Sequence, residues 1–126
     1  MEFTHRTYER GQTIAAIATP PGDGGVAIIR ISGKDAFLIA DQIVSKQLKS
    51  ADSHRAYLCS FQNGCKQVID KGLVMIFKAP HSYTGENIVE LHCHGGRLIT
   101  QKVLQASLDA GARAALPGEV TYQAFL

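Results

Sequence analysis

The chain has 126 residues, 45% of them hydrophobic and 19% charged, and a formal net charge of +2. This describes one domain large enough for a real core, hiding roughly two-thirds of its unfolded surface. The 13 Lys and Arg are scattered, which gives no nucleic-acid footprint, and no apolar run approaches the ~20 residues of a membrane span.

In chain order, residues 1–11 read as a polar leader without the apolar core of a secretory signal. Residues 13–18 form a short apolar run that predicts a buried strand, and a Pro- and Gly-rich loop, Pro20–Gly25, follows. Residues 26–32 are rich in β-branched side chains and predict a second strand, interrupted by Arg30. A guanidinium keeps its charge, so on a sheet it needs a carboxylate, a carbonyl or a ligand. Apolar residues at helical spacing predict a helix over 34–48. Residues 55–61 alternate as a strand, Asn63-Gly64 signals a hairpin, and 66–77 supply the return and a central strand. A second main helix is predicted over 97–110, with Gly111 as its C′ residue, then a strand over 112–116 and a helix beginning near Val120. The fold class is therefore α+β, a mixed sheet with two main helices.

The stretch Ser82–Gly96 organises the rest. Its strand, 88–94, places Val89, Leu91 and Cys93 on one face and Glu90, His92 and His94 on the other. The first face reads as core. The second lines up a carboxylate and two imidazoles; the bland reading is an edge strand with a wet polar face. His92-Cys93-His94 cannot form one tetrahedral metal site, because neighbours on a strand point to opposite faces. His92 and His94, with His81 or Glu90, remain a weaker metal option. Cys93 reads as an inert buried thiol. The three cysteines, Cys59, Cys65 and Cys93, show neither disulfide nor zinc spacing and fit a reducing, cytoplasmic compartment. Two phosphate motifs fail. Gly33-Lys34 lacks the earlier Gly, position 28 being Ile, and the following Ser or Thr, position 35 being Asp. Gly22-Asp23-Gly24 lacks its third Gly, because position 27 is Ala.

Three blocks carry a resemblance together: Thr13–Gly33, Ser82–Gly96, and Pro117-Gly118-Glu119 with Ala124-Phe125-Leu126. In order and spacing they resemble the N-terminal domain of the bacterial and organellar tRNA modification GTPases of the MnmE (TrmE) family, over about residues 12–126. The resemblance implies an α+β module similar to the tetrahydrofolate-binding domain of aminomethyltransferases. It implies a homodimer that binds a 5-formyl-tetrahydrofolate-type one-carbon carrier, with folate contacts at Arg30 and Glu90. It further implies that a helical domain and a GTPase domain follow, the latter holding GTP, Mg and K. With a flavoprotein partner, MnmG (GidA), such an enzyme modifies C5 of the wobble uridine in tRNA by carboxymethylaminomethylation. The chain departs from the family in having Val120 for a Phe and Gln123 for an Arg, and it stops before a Lys that completes the folate contacts. Other readings are a stand-alone aminomethyltransferase-like protein and a purely structural dimerisation module, in which Arg30 and Glu90 simply pair with each other.

Overall fold

A computed structural model describes residues 12–19 and 25–124. The polar leader, all but Gly25 of the Pro20–Gly25 loop, the side chains of Tyr122 and Gln123 and the final Phe125-Leu126 lie outside the described residues.

Among the described residues, six strands form one sheet: β1 (Ile14–Ile17), β2 (Val26–Ser32), β3 (Ala56–Gln62), β4 (Val68–Phe77), β5 (Ile88–His94) and β6 (Arg113–Ala114). Their spatial order is β3-β4-β5-β2-β1-β6. All neighbours run antiparallel except β1 and β6, which are parallel and make the sheet mixed. The strand expected over 88–94 is β5 itself. The one expected over 112–116 is much shorter: only Arg113 and Ala114 stand in register with β1, and after the Ala115 N–H donates to the Ala15 carbonyl the chain turns at Pro117.

One face of the sheet is the core. Ala27, Ile29 and Ile31 of β2, Val89, Leu91 and Cys93 of β5, and Val74 and Ile76 of β4 are all buried there. This is the period-two alternation that the sequence displays. Helix α2 (Arg97–Asp109) packs on this face through Val103 and Ala106. It ends in a Schellman motif: the Gly111 N–H donates to the Leu108 carbonyl and the Ala112 N–H to Ser107, with Gly111 at φ 122°.

The helix expected over 34–48 is a correction. Helix α1 covers only Ala36–Asp41, and a 3-10 turn follows at Leu48–Ser50. Between them, Val44 bridges to Phe61, and the Gln62 N–H donates to the Ile43 carbonyl at 2.7 Å. The β-branched pair Ile43-Val44 joins the edge of β3 instead of continuing the helix. Both residues stay buried, so helical spacing signalled burial but not conformation. Among the described residues there is accordingly one main helix, α2, with short α1 and α3 (Glu119–Ala124).

The hairpin between β3 and β4 is also a correction in detail. Asn63 Oδ1 accepts from the Cys65 and Gln67 N–H groups, and the Lys66 N–H donates to the Asn63 carbonyl. The left-handed residue is Lys66, at φ 60°, rather than Gly64. The side chain of Asn63 builds the turn, which is longer than the two-residue type that Asn-Gly favours.

Candidate functional site

The open face of the sheet carries the charged residues. In register, Arg30 of β2 lies opposite Glu90 of β5, flanked by Ala16 on β1 and Met75 on β4. Directly paired antiparallel residues bring their side chains together on one face. Arg30 donates from Nε at 3.0 Å and from Nη2 at 2.8 Å, both to Oε2 of Glu90. The other carboxylate oxygen, Oε1, lies 3.0 Å from Nε2 of His92. Arg30, Glu90 and His92 thus form one network, with Glu90 at its centre. The three side chains are 25%, 13% and 22% exposed, so the network is accessible from solvent but mostly sheltered. Charge-assisted bonds in such surroundings hold geometry better than exposed ion pairs do.

His94 shares the parity of Glu90 and His92 but leaves the network. Its Nδ1 lies 2.8 Å from Oδ1 of Asp70, and its backbone N–H donates to Oδ2. Burial acts to raise the pKa of Asp70. The hydrogen bonds from His94 and from the Lys71 backbone, with the charge of His94, outweigh it, so the carboxyl titrates below its ordinary value. No group of three or more metal-ligating side chains converges among the described residues. Cys93 faces the core. Burial, followed by the charge of Asp70, pushes its thiol up to about 11, which makes it a poor nucleophile at neutral pH.

The loop before β5 brings a further side chain to Arg30. Thr84 is buried and shares a 2.8 Å hydrogen bond with Ser32 of β2, while the Gly33 N–H donates to the Asn87 carbonyl. Asn87 Oδ1 accepts from the Ala79 N–H at 2.9 Å, and Gly85 adopts φ 79°. These ties fix the loop so that the Tyr83 ring lies 5.5 Å from the Arg30 guanidinium carbon. Arg30 and Tyr83 then line one wall of a groove of about 490 Å3. Its floor includes the small side chains Ala16 and Ala18, Ile17 and Leu104 also line it, and its far wall runs over Ala114–Thr121, meeting Tyr83 where the Tyr83 hydroxyl lies 3.4 Å from Thr121 Oγ1. Glu90 sits behind Arg30 and is not part of the groove lining.

The far wall depends on a buried carboxylate. Glu119 is only 1% exposed and accepts from Arg113 Nη1 at 2.9 Å, from Arg113 Nη2, and from the Leu116 N–H at 2.9 Å. It therefore clasps the Pro117–Gly118 turn to β6. The sequence analysis gives Glu119 no partner and misses this clasp. The signal was a carboxylate at a helix start six residues after an Arg, which is too common to single out. Tyr83 was missed likewise, because an exposed loop aromatic carries no periodicity.

These features first define a class: an α+β domain whose two central antiparallel strands carry an Arg–Glu–His network on the face away from the main helix. The chain belongs to the family described as GTP-binding protein TrmE N-terminus, whose family model matches residues 13–126. It is 56% identical over 126 residues to the tRNA modification GTPase MnmE of Protochlamydia amoebophila, covering 100% of this chain and 28% of that protein. It is 51% identical over 118 residues to the protein of the same name from Chlamydia abortus, and 49% identical over 117 residues to that from Chlamydia trachomatis serovar L2. Each of these alignments covers 93% of this chain and 26% of the relative. The chain thus spans about a quarter of the length of the curated relatives it matches.

Proposed function

We propose that this chain is the folate-binding and dimerising domain of a tRNA modification GTPase. In this reading Arg30 and Glu90 hold the head of a 5-formyl-tetrahydrofolate-type carrier. The fold is then that of the tetrahydrofolate-binding domain of aminomethyltransferases, and the protein works in the cytoplasm as a homodimer. GTP, Mg and K belong to a GTPase domain, and the flavoprotein MnmG (GidA) and the wobble uridine of tRNA are the partner and substrate of the whole enzyme.

The observation that carries the folate reading is the register match of Arg30 and Glu90 beside the alanine-floored groove. A flat bicyclic ring suits a floor of small side chains with an aromatic at one edge, here Tyr83. Arg30 lines the groove while two of its nitrogens are held by Glu90, and its Nη1 makes no hydrogen bond among the described residues. That donor is the group left to meet a carbonyl of the carrier. Glu90 orients Arg30; Arg30 takes two of its lone-pair sites and His92 a third, and the one left on Oε1 suits a single N–H of a pterin. The carrier supplies the one-carbon unit; the residues of this chain bind and orient it.

Isothermal titration of 5-formyl-tetrahydrofolate into the chain tests this reading. Glu90→Gln weakens the charge-assisted hold on Arg30, which lines the groove, and is expected to weaken binding about ten-fold or more. The same change at Glu86, in the loop, is expected to matter less. Equal weakening by the two substitutions would refute the assignment and favour a purely structural ion pair.

A further inference from the structure

Arginine and carboxylate ordinarily meet as a fork on a fork, two parallel N–H bonds to two different oxygens. Here both Arg30 donors converge on the single oxygen Oε2 of Glu90, at 3.0 and 2.8 Å. The second oxygen is turned away from the guanidinium and lies 3.0 Å from Nε2 of His92. His92 has no other acidic group opposite it. Its cross-strand neighbours are Ile28 on β2 and Leu73 on β4, both apolar. The carboxylate therefore has one specific restraint holding it out of the fork, and that restraint is the imidazole two residues along the same strand.

We propose that His92 is a positioning residue for the ligand site: its Nε2–H fixes the plane of the Glu90 carboxylate and keeps Arg30 off Oε1. An inference about ligand binding, it rests on the folate reading above. Without a donor at position 92, Glu90 turns to fork onto Arg30 through both oxygens. That arrangement rotates the carboxylate plane, so that its free lone pairs no longer point where they do with His92 in place, and it shifts the guanidinium that lines the groove. What position 92 must supply is an N–H at the end of a side chain of this length. Glutamine offers one at nearly the same reach, and leucine fills the same space with none.

Two measurements decide it, both on the chain as it stands. The first needs no folate. Long-range proton–nitrogen correlation spectra at alkaline pH, above the ordinary imidazole range, read the tautomer of neutral His92 directly. A bond to Glu90 predicts the Nε2–H form, and an Nδ1–H form would overturn the proposal. The second is titration with 5-formyl-tetrahydrofolate. His92→Leu is expected to bind about ten-fold more weakly, and His92→Gln within about three-fold of the wild type. The Leu variant folds because its neighbours across the strands are Ile28 and Leu73, and circular dichroism checks this. A Leu variant that binds like the wild type, or a Gln variant as weak as Leu, would overturn the positioning role. A wild-type chain that binds no folate refutes the folate reading instead, and the tautomer then decides alone whether His92 fixes Glu90.

Discussion

The close approach of β4 to β5 sets the geometry beneath the site, and one glycine permits it. Gly72 of β4 pairs with Cys59 of β3, one residue before the Leu73–His92 pair of the ladder. A Cβ built on Gly72 would lie 2.1 Å from the His92 carbonyl oxygen and 3.0 Å from Cε2 of Phe61. Even the weak carbon–oxygen contacts seen between strands sit at about 3.3 Å or more, so β4 and β5 must part by roughly 1 Å to admit a methyl group. Overpacking of this kind costs about 2 kcal/mol. At about 4 °C per kcal/mol for a domain of this size, Gly72→Ala is expected to lower Tm by roughly 8 °C. Gly64, in the hairpin, has nothing within 4 Å of its built Cβ. Gly64→Ala is therefore expected to leave Tm unchanged or raise it slightly, by limiting the unfolded chain. Calorimetric scans of the two variants test the reasoning in one experiment. A Gly72→Ala protein melting within about a degree of the wild type, or losing no more than Gly64→Ala, would refute it.

Other expectations follow from particular side chains. Burial pushes the thiols of Cys59 and Cys93 up to about 11, whereas Cys65 is exposed. A thiol reagent at neutral pH should label Cys65 rapidly and the other two only in denaturant, as mass spectrometry reads; rapid labelling of Cys93 would contradict its place in the core. Lys66 holds φ 60°, a conformation that costs a side-chain-bearing residue about 1 kcal/mol, so Lys66→Gly should stabilise the chain by roughly 0.5–1 kcal/mol in urea titration. Asp70 has a folded pKa below its ordinary 3.8. Its stabilising effect is thus full above that value and lost as pH falls through the folded pKa. The stability deficit of Asp70→Asn, measured by urea titration at stepped pH, should shrink in that acid range; a deficit that holds constant below it would contradict the Asp70–His94 contact.

The sheet was legible because its strands alternate or run apolar. Val89, Leu91 and Cys93 against Glu90 and His92 need only a period of two to be sorted onto faces, and β5 places them so. The first helix was misjudged because Ile43 and Val44 satisfy helical spacing and β-edge burial equally well, and only Phe61, seventeen or more residues away in sequence, decides between them. The same limit hides Tyr83 beside Arg30 and Arg113 beside Glu119. These are contacts between elements, and residue type alone does not announce them. The pairing of Arg30 with Glu90 was foreseeable from parity, since both put a charge into an apolar strand. That Arg30 uses only one oxygen of Glu90, while His92 meets the other, is set by the folded register and not by residue type.

The central claim is that the groove beside Arg30 takes a reduced folate. Nitrogen-15 spectra of the labelled chain, recorded as 5-formyl-tetrahydrofolate is added, test it most directly. The account predicts saturable shifts at the Arg30 Nε–H and at the backbone amides of Ala16, Tyr83 and Ala114, which surround the groove. Shifts confined to the separate hollow between Asn63, Gln67 and the α2 residues Lys102, Gln105 and Asp109, or no saturable shift anywhere, would contradict it.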